Sequence, residues 1–240
     1  MQMGFSIYNS VMSIKILPDE VASQIAAGEV VERASSVVKE LLENAVDAGA
    51  SRVSIRVIEA GKRLIEVSDN GSGINPDELK LAVTRHATSK LNSAEDLFHI
   101  RTLGFRGEAL ASIGSVSRMT LTSRNEHEEN GSKVVVEGGK VVSVEMTGVP
   151  VGTVVAVGDL FFNTPARLKF LKKDLTERQQ IENLVTRYAL AYPQLAIQLD
   201  MDGKQVFRSS GNGDRREILA QLYDYSLAKS LLEVLFEDDE

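Results

Sequence analysis

Between Ser35 and Ala48 apolar residues recur with a helical period, and a few residues later the period becomes two. Val37, Val38, Leu41, Leu42, Ala45 and Val46 form one stripe of a helix expected to end at Gly49, where a left-handed cap is easiest. Val53, Ile55 and Val57 then alternate with Ser54 and Arg56, as in a strand buried on one side only. A one-sided helix running straight into a one-sided strand must cover that strand's apolar face. The chain is therefore expected to be α+β, with helices on one face of a mixed, mostly antiparallel sheet.

The rest of the chain agrees with that expectation. Leu64 to Val67 reads as a second strand, and Asn75-Pro76-Asp77-Glu78 as a helix start with Asn as cap and Glu placed for a capping box. A short helical pattern spans Ala94 to Phe98, and another helix is expected near Glu108. Strands follow at Arg118 to Ser123, Lys133 to Glu137, Val141 to Met146 and Gly152 to Val157. Thr176 with Gln179 is read as capping a helix with the stripe Ile181, Leu184, Val185 and Tyr188, stopped by Pro193. Leu195 to Leu199 and Gln205 to Arg208 form a hairpin. The run Ser209 to Gly213 has linker composition, followed by a helix from Arg215 to Tyr223 and an apolar strand from Leu231 to Phe236. The expected division is an extension over 1–11, a main domain over 12–210, and the start of a second domain over 211–240.

Composition narrows the chemistry. Among 240 residues there is no cysteine, which removes disulfides, thiolate-bound metals and cysteine nucleophiles. The three histidines have no ligand spacing on a helix, which argues against a His-based metal centre. A net charge of −7 excludes a protein that is basic throughout, though not a local basic face. No apolar run is long enough to span a bilayer, and no secretory signal is evident, so a cytoplasmic protein without a membrane partner is expected.

Three segments carry candidate chemistry. Glu40, Asn44 and Asp47 fall on one narrow face of the first helix, opposite the apolar stripe, and that face carries few basic partners. A solvated face explains it; so does a carboxylate that activates water one turn from an amide oxygen that binds Mg²⁺. Asp69-Asn70-Gly71-Ser72-Gly73 follows a strand directly. It suits a plain turn, or a pocket where Asp69 accepts a hydrogen bond from an exocyclic amine while glycines let backbone approach a flat ligand. A calcium loop fits poorly, because Gly71 and Gly73 stand where oxygen ligands are needed. Gly104-Phe105-Arg106-Gly107-Glu108-Ala109-Leu110 is a glycine loop feeding a helix, a phosphate-binding arrangement without the P-loop sequence.

Together with Ile25 to Val31, Lys39 to Ala50, Arg85 to Lys90, Gly104 to Ile113, and Phe162-Asn163-Thr164-Pro165-Ala166-Arg167, these segments resemble the MutL mismatch-repair family within the GHKL ATPase superfamily. The resemblance implies a Bergerat-type ATPase sandwich, followed by the incomplete start of a transducer-type second α/β domain similar to ribosomal S5 domain 2, and an ATP-binding, Mg²⁺-dependent ATPase. It implies Glu40 as general base, Asn44 as Mg²⁺ ligand, and Asp69 as the adenine-recognising carboxylate. Gly71 and Gly73 would shape that pocket, with Thr153 supporting it. Lys90, Gly104, Phe105, Arg106, Gly107, Glu108, Ala109 and Leu110 would form a lid over the phosphates.

The implied partners are a second copy in an ATP-dependent homodimer, a MutS-type mismatch-recognition protein, a downstream nuclease or helicase, and weakly bound DNA. The stretch Arg167, Lys169, Lys172, Lys173 and Arg178 suits either that DNA or plain solvation. Two other readings stay open: a topoisomerase ATPase domain, against which Asn163 to Arg167 speaks, and a non-catalytic ATP-binding scaffold. Ala34 departs from the proline usual in the family. The family's phosphate-contacting lysine and its C-terminal dimerisation domain would lie beyond Glu240, so hydrolysis by this chain is expected to be weak.

Overall fold

The computed structural model describes residues 14–90, 102–104, 107–223 and 225–231. The helical pattern read over Ala94 to Phe98, the N-terminal extension and the apolar strand read from Leu231 lie outside them, save Leu231 itself.

Helix α1 (Asp19–Val30) leads into α2 (Ala34–Asp47), and α2 into strand β1 (Arg52–Ile58). A single 3₁₀ turn connects β1 to β2 (Leu64–Asp69), followed by α3 (Pro76–Ala82) and α4 (Ala109–Ser115). Four strands come next: β3 (Arg118–Arg124), β4 (Gly131–Glu137), β5 (Lys140–Thr147) and β6 (Gly152–Gly158). Then come α5 (Pro165–Phe170), α6 (Asp174–Ala191), β7 (Ala196–Met201), β8 (Lys204–Arg208), α7 (Arg215–Leu222) and α8 (Tyr225–Ser230).

The eight strands form one sheet in the order β5-β4-β3-β6-β2-β1-β7-β8. β1 and β7 run parallel, and every other neighbouring pair is antiparallel. The expected mixed sheet is therefore observed. Its covered face follows from the alternation: Val53, Ile55 and Val57 of β1 and Ile65 and Val67 of β2 are at most 2% exposed, while Arg52, Ser54 and Arg56 face solvent. On the open side Arg56 and Glu66, opposite each other in the register, form a 2.9 Å ion pair.

α2 lies over this apolar surface with Val37, Val38, Leu41, Leu42 and Ala45 buried, and α6 packs beside it through Ile181, Val185 and Ala189. Each valine, leucine or isoleucine among them withdrawn from water contributes about 1.5–3 kcal/mol, so the stripe read from the sequence orients α2 strongly. Once that stripe faces the sheet, the opposite polar face must line whatever opens above it. α7 packs against α6, and its Ile218 joins the same core.

Two cap assignments need correction. α6 starts at Asp174, so Thr176 lies inside its first turn; Glu177 instead accepts the Lys172 amide at 3.1 Å. At α3, Asn75 holds the cap position and Pro76 the first turn as expected, but Asn75 and Glu78 bond through their side chains at 3.1 Å, without the reciprocal backbone bonds of a capping box. Among the described residues no helix is long and apolar enough to cross a membrane.

Candidate functional site

The polar face of α2 forms one wall of a cleft of about 720 Å³. Val67, Leu121 and Val155, from β2, β3 and β6, form its floor. α3 lies at one side, and the segments around Lys90 and Gly104 at the other. Glu40, Asn44, Asp47, Asp69, Gly73, Thr153, Lys90, Gly104, Gly107, Glu108, Ala109 and Leu110 all line this space. Residues from five separate stretches of chain thus meet there. Gly71 does not line it, and Phe105 and Arg106 lie outside the described residues.

Asp69 ends β2 opposite Thr153 of β6. Its Oδ1 accepts the Gly71 amide at 2.8 Å, and the Thr153 backbone also hydrogen-bonds the carboxylate. Burial raises its pKa above the ordinary carboxylate value, and these two bonds only partly offset that. The Asp69–Gly71 bond is itself local turn chemistry, so the turn and the site are the same object.

Gly71 contributes by packing: a Cβ there would come within 2.8 Å of Ala48. Gly73 has φ +70°, and a Cβ would lie 2.0 Å from the Arg124 carbonyl. These glycines bring the loop close to protein, and Gly73 also lines the cleft. Asn70 accepts the Ser51 and Arg52 amides at 3.0 and 2.8 Å, which ties the turn to the start of β1. Ser123, which sequence reasoning passed over, is 1% exposed and knits the pocket together. Its hydroxyl donates to the Gly152 carbonyl at 2.9 Å, accepts the Ile74 amide at 2.9 Å, and lies 2.9 Å from the Thr153 hydroxyl. A buried serine in an alternating strand gives no signal of that kind.

The scarcity of basic partners expected for the α2 face does not hold. Lys39 Nζ lies 3.1 Å from Glu40, and Lys90 Nζ lies 3.2 Å from Asn44 Oδ1 while also pairing with Asp47. Asp47 further accepts the Leu103 amide at 2.9 Å and the Gly104 amide at 3.0 Å. The loop before α4 is thereby fastened to α2 by a single carboxylate whose side chain is 7% exposed. A Cβ at Gly104 would lie 3.3 Å from Lys90 Nζ, 3.6 Å from Asn44 Oδ1 and 3.7 Å from Asp47 Oδ2, so the backbone there is held close.

Asn44 Oδ1 and Asp47 already share a cation, the Lys90 ammonium. Among the described residues no group of three His, Cys, Asp or Glu side chains forms a metal cage. A single amide oxygen suits Mg²⁺, which keeps several waters and takes its remaining ligands from substrate phosphates. The donor set therefore fits a cation that arrives with a phosphate ligand.

Burial works against the Asp47 charge, but the Lys90 bond and the two amides outweigh it, so its pKa is lowered. A carboxylate depressed in the folded state contributes stability that is fully present above its unfolded value. That contribution is lost as pH falls through the lower folded value. Asp47→Asn should therefore lower Tm at neutral pH, with the difference from wild type shrinking only below the ordinary carboxylate range. Thermal melts from pH 7 down to acid check this; a constant difference would show that the charge is not what holds the loop.

Asn163 to Arg167 stands away from the cleft. Asn163 donates to the Ser115 carbonyl at 2.9 Å, at the end of α4. Arg167 donates to the Gln24 carbonyl of α1 at 2.7 Å and lies over the Phe161 ring at 5.8 Å. This motif fastens α1. It also removes Arg167 from the basic patch, and Arg178 pairs with Asp202, which leaves Lys169, Lys172 and Lys173 exposed.

A layer of helices on one face of an eight-stranded mixed sheet, with a cleft between the polar face of α2 and the sheet, defines the GHKL ATPase fold. Residues 32–145 match the family model described as histidine kinase-, DNA gyrase B- and HSP90-like ATPase. Within that class the chain belongs to the MutL family. It is 36% identical to the Aquifex aeolicus MutL ATPase domain complexed with ADP, with a TM-score of 0.68 over 81% of this chain and 70% of that one. Over 91% of its length it is 51% identical to the DNA mismatch repair protein MutL of Streptococcus pneumoniae (strain JJA) and 49% identical to that of Lactococcus lactis subsp. cremoris (strain SK11). The chain spans about a third of the length of these curated relatives. This kinship sets the topoisomerase reading aside.

Proposed function

We propose that this chain is the ATP-binding and hydrolysing N-terminal domain of a MutL-type mismatch-repair protein. The convergence of Glu40, Asn44, Asp69 and Lys90 on one cleft carries this reading. It is supported by the ADP complex of the Aquifex aeolicus relative.

In this reading Asp69, an acceptor at the floor of the cleft, takes a hydrogen bond from the adenine amine. The apolar floor of Val67, Leu121 and Val155 receives the base. Glu40 orients the attacking water and accepts its proton. Asn44 would hold Mg²⁺, which when bound offsets charge on the phosphates. Lys90, Gly104 and the backbone from Gly107 to Leu110 would face the phosphates. Phe105 and Arg106 are assigned to the same lid from sequence.

ATP then acts as a switch. The loop held by Asp47 closes over nucleotide, two copies associate, and hydrolysis resets them. Through that cycle the whole protein would couple a MutS-type partner to a downstream nuclease or helicase in the cytoplasm. Lys169, Lys172 and Lys173 would offer weak, salt-sensitive contact to DNA phosphates. Residues 211–240 would begin a second domain.

Phosphate release tests the chemistry. Turnover should disappear in EDTA and fall about 100-fold or more in Asn44→Ala, by the scale of losing a charge-stabilising group. A rate unaffected by EDTA would remove the metal from the mechanism.

A further inference from the structure

Two carboxylates of α2 share one lysine. Lys39 Nζ lies 3.1 Å from Glu40 Oε1 and 2.8 Å from Glu43 Oε2. Glu43 is the unusual member, because its side chain is only 9% exposed. Its other oxygen, Oε1, accepts the hydroxyl of Tyr188 from α6, 145 residues away in sequence. The Tyr188 ring stacks on Tyr192, with centroids 6.2 Å apart and planes inclined by 22°. Both oxygens of a buried carboxylate are thus committed, one to a tyrosine and one to a lysine.

A buried carboxylate is expensive to keep, and an apolar residue would pack there at lower cost. We propose that Tyr188 and Glu43 form a relay that holds Lys39 against Glu40 and so positions the carboxylate that accepts the water proton. The inference rests on the assignment of Glu40 as base. Lys39 is long, flexible and 44% exposed, and without Glu43 it has no reason to keep one rotamer. Tethered, it engages Glu40 Oε1, and no described residue hydrogen-bonds Oε2, which remains the oxygen able to take a proton.

The ionisation states agree. Burial disfavours the Lys39 charge, but Glu43 and Glu40 outweigh it, so the ammonium persists well past neutral pH. Burial and the bond to Glu43 push Tyr188 upward, so it stays a phenol donor. Lys39, Glu43 and Tyr188 are positioning residues in this account, acting through Glu40.

The test is steady-state hydrolysis by the full-length protein, with ADP affinity and Tm measured beside it. Glu43→Gln and Tyr188→Phe should each lower kcat about tenfold or more, leaving KM for ATP and ADP affinity close to wild type and lowering Tm by no more than the several degrees expected of one lost buried hydrogen bond. The double variant should be no worse than either single, as expected of one relay. Lys39→Arg should retain more kcat than Lys39→Met.

Wild-type kcat in Glu43→Gln and Tyr188→Phe, with Glu40→Ala inactive, would overturn the relay alone. A raised KM at unchanged kcat would overturn it too, by placing Lys39 on the nucleotide. Joint loss of ADP binding and Tm would reduce Glu43 and Tyr188 to packing. Turnover retained in Glu40→Ala would instead overturn the base assignment, and the relay with it.

Discussion

Replacing Glu40 with alanine should leave nucleotide binding near its wild-type strength and slow hydrolysis by about 10²- to 10⁴-fold, the range that a general base supplies. The separation of the two effects follows from position. Glu40 lines the cleft beside Lys39, and the hydrogen bonds that hold Asp69 at the end of β2 come from Gly71 and Thr153. Its neighbours in the core, Leu41 and Leu42, are untouched by the change, so the fold should survive it. Single-turnover phosphate release, with ADP titration as the binding control, reads both effects. Unchanged turnover would remove Glu40 from the base role.

Asp69→Asn should do the opposite and act on affinity first. The amide oxygen can still accept the Gly71 amide, so the turn is preserved. The charge is lost, however, and with it the charge-assisted bond to an adenine amine, a change of about 1.5–3 kcal/mol or roughly 10- to 150-fold in affinity. A pH dependence should accompany it. Burial raises the Asp69 pKa, so the carboxyl takes up its proton at higher pH than an exposed aspartate, and a protonated carboxyl is the poorer acceptor. Wild-type affinity for ADP should accordingly begin to fall on acidification at a pH above the ordinary carboxylate range, while that of Asp69→Asn should not follow. Parallel titrations at several pH values decide this, and an affinity equal to wild type would separate Asp69 from adenine.

Much of this architecture is legible in the sequence because burial has a period. The six-residue stripe of α2 and the alternation of β1 are one-sided enough to specify which faces meet, and that turns Glu40, Asn44 and Asp47 away from the packed face and toward the cleft. α1 has no such stripe: Ala27 is buried, but Val21 and Ile25 are exposed. It is held by Arg85 on the Ser23 carbonyl and Arg167 on the Gln24 carbonyl, 62 and 143 residues distant, and no local pattern encodes such bonds. α5 and α8 have six residues each, too short for a period to show.

The same contrast divides the site. Asp69 and its glycines announce themselves through turn chemistry, but Ser123 is indistinguishable from any serine in a strand. Asp47 lies on the face the sequence singles out, but its partners are Lys90 and two amides 56 and 57 residues further on, which no local pattern encodes. Glu43 and Tyr188 each have a plain local explanation, and only the crossing of α2 and α6 makes them a pair.

In this reading the cleft is a nucleotide site with one metal-dependent end and one adenine end. Calorimetric titration of the chain with ATP, in Mg²⁺ and again in EDTA, tests it most directly. The account predicts saturable binding in Mg²⁺ that weakens in EDTA. Absence of binding at millimolar ATP by the folded chain, with Mg²⁺ present, would contradict it.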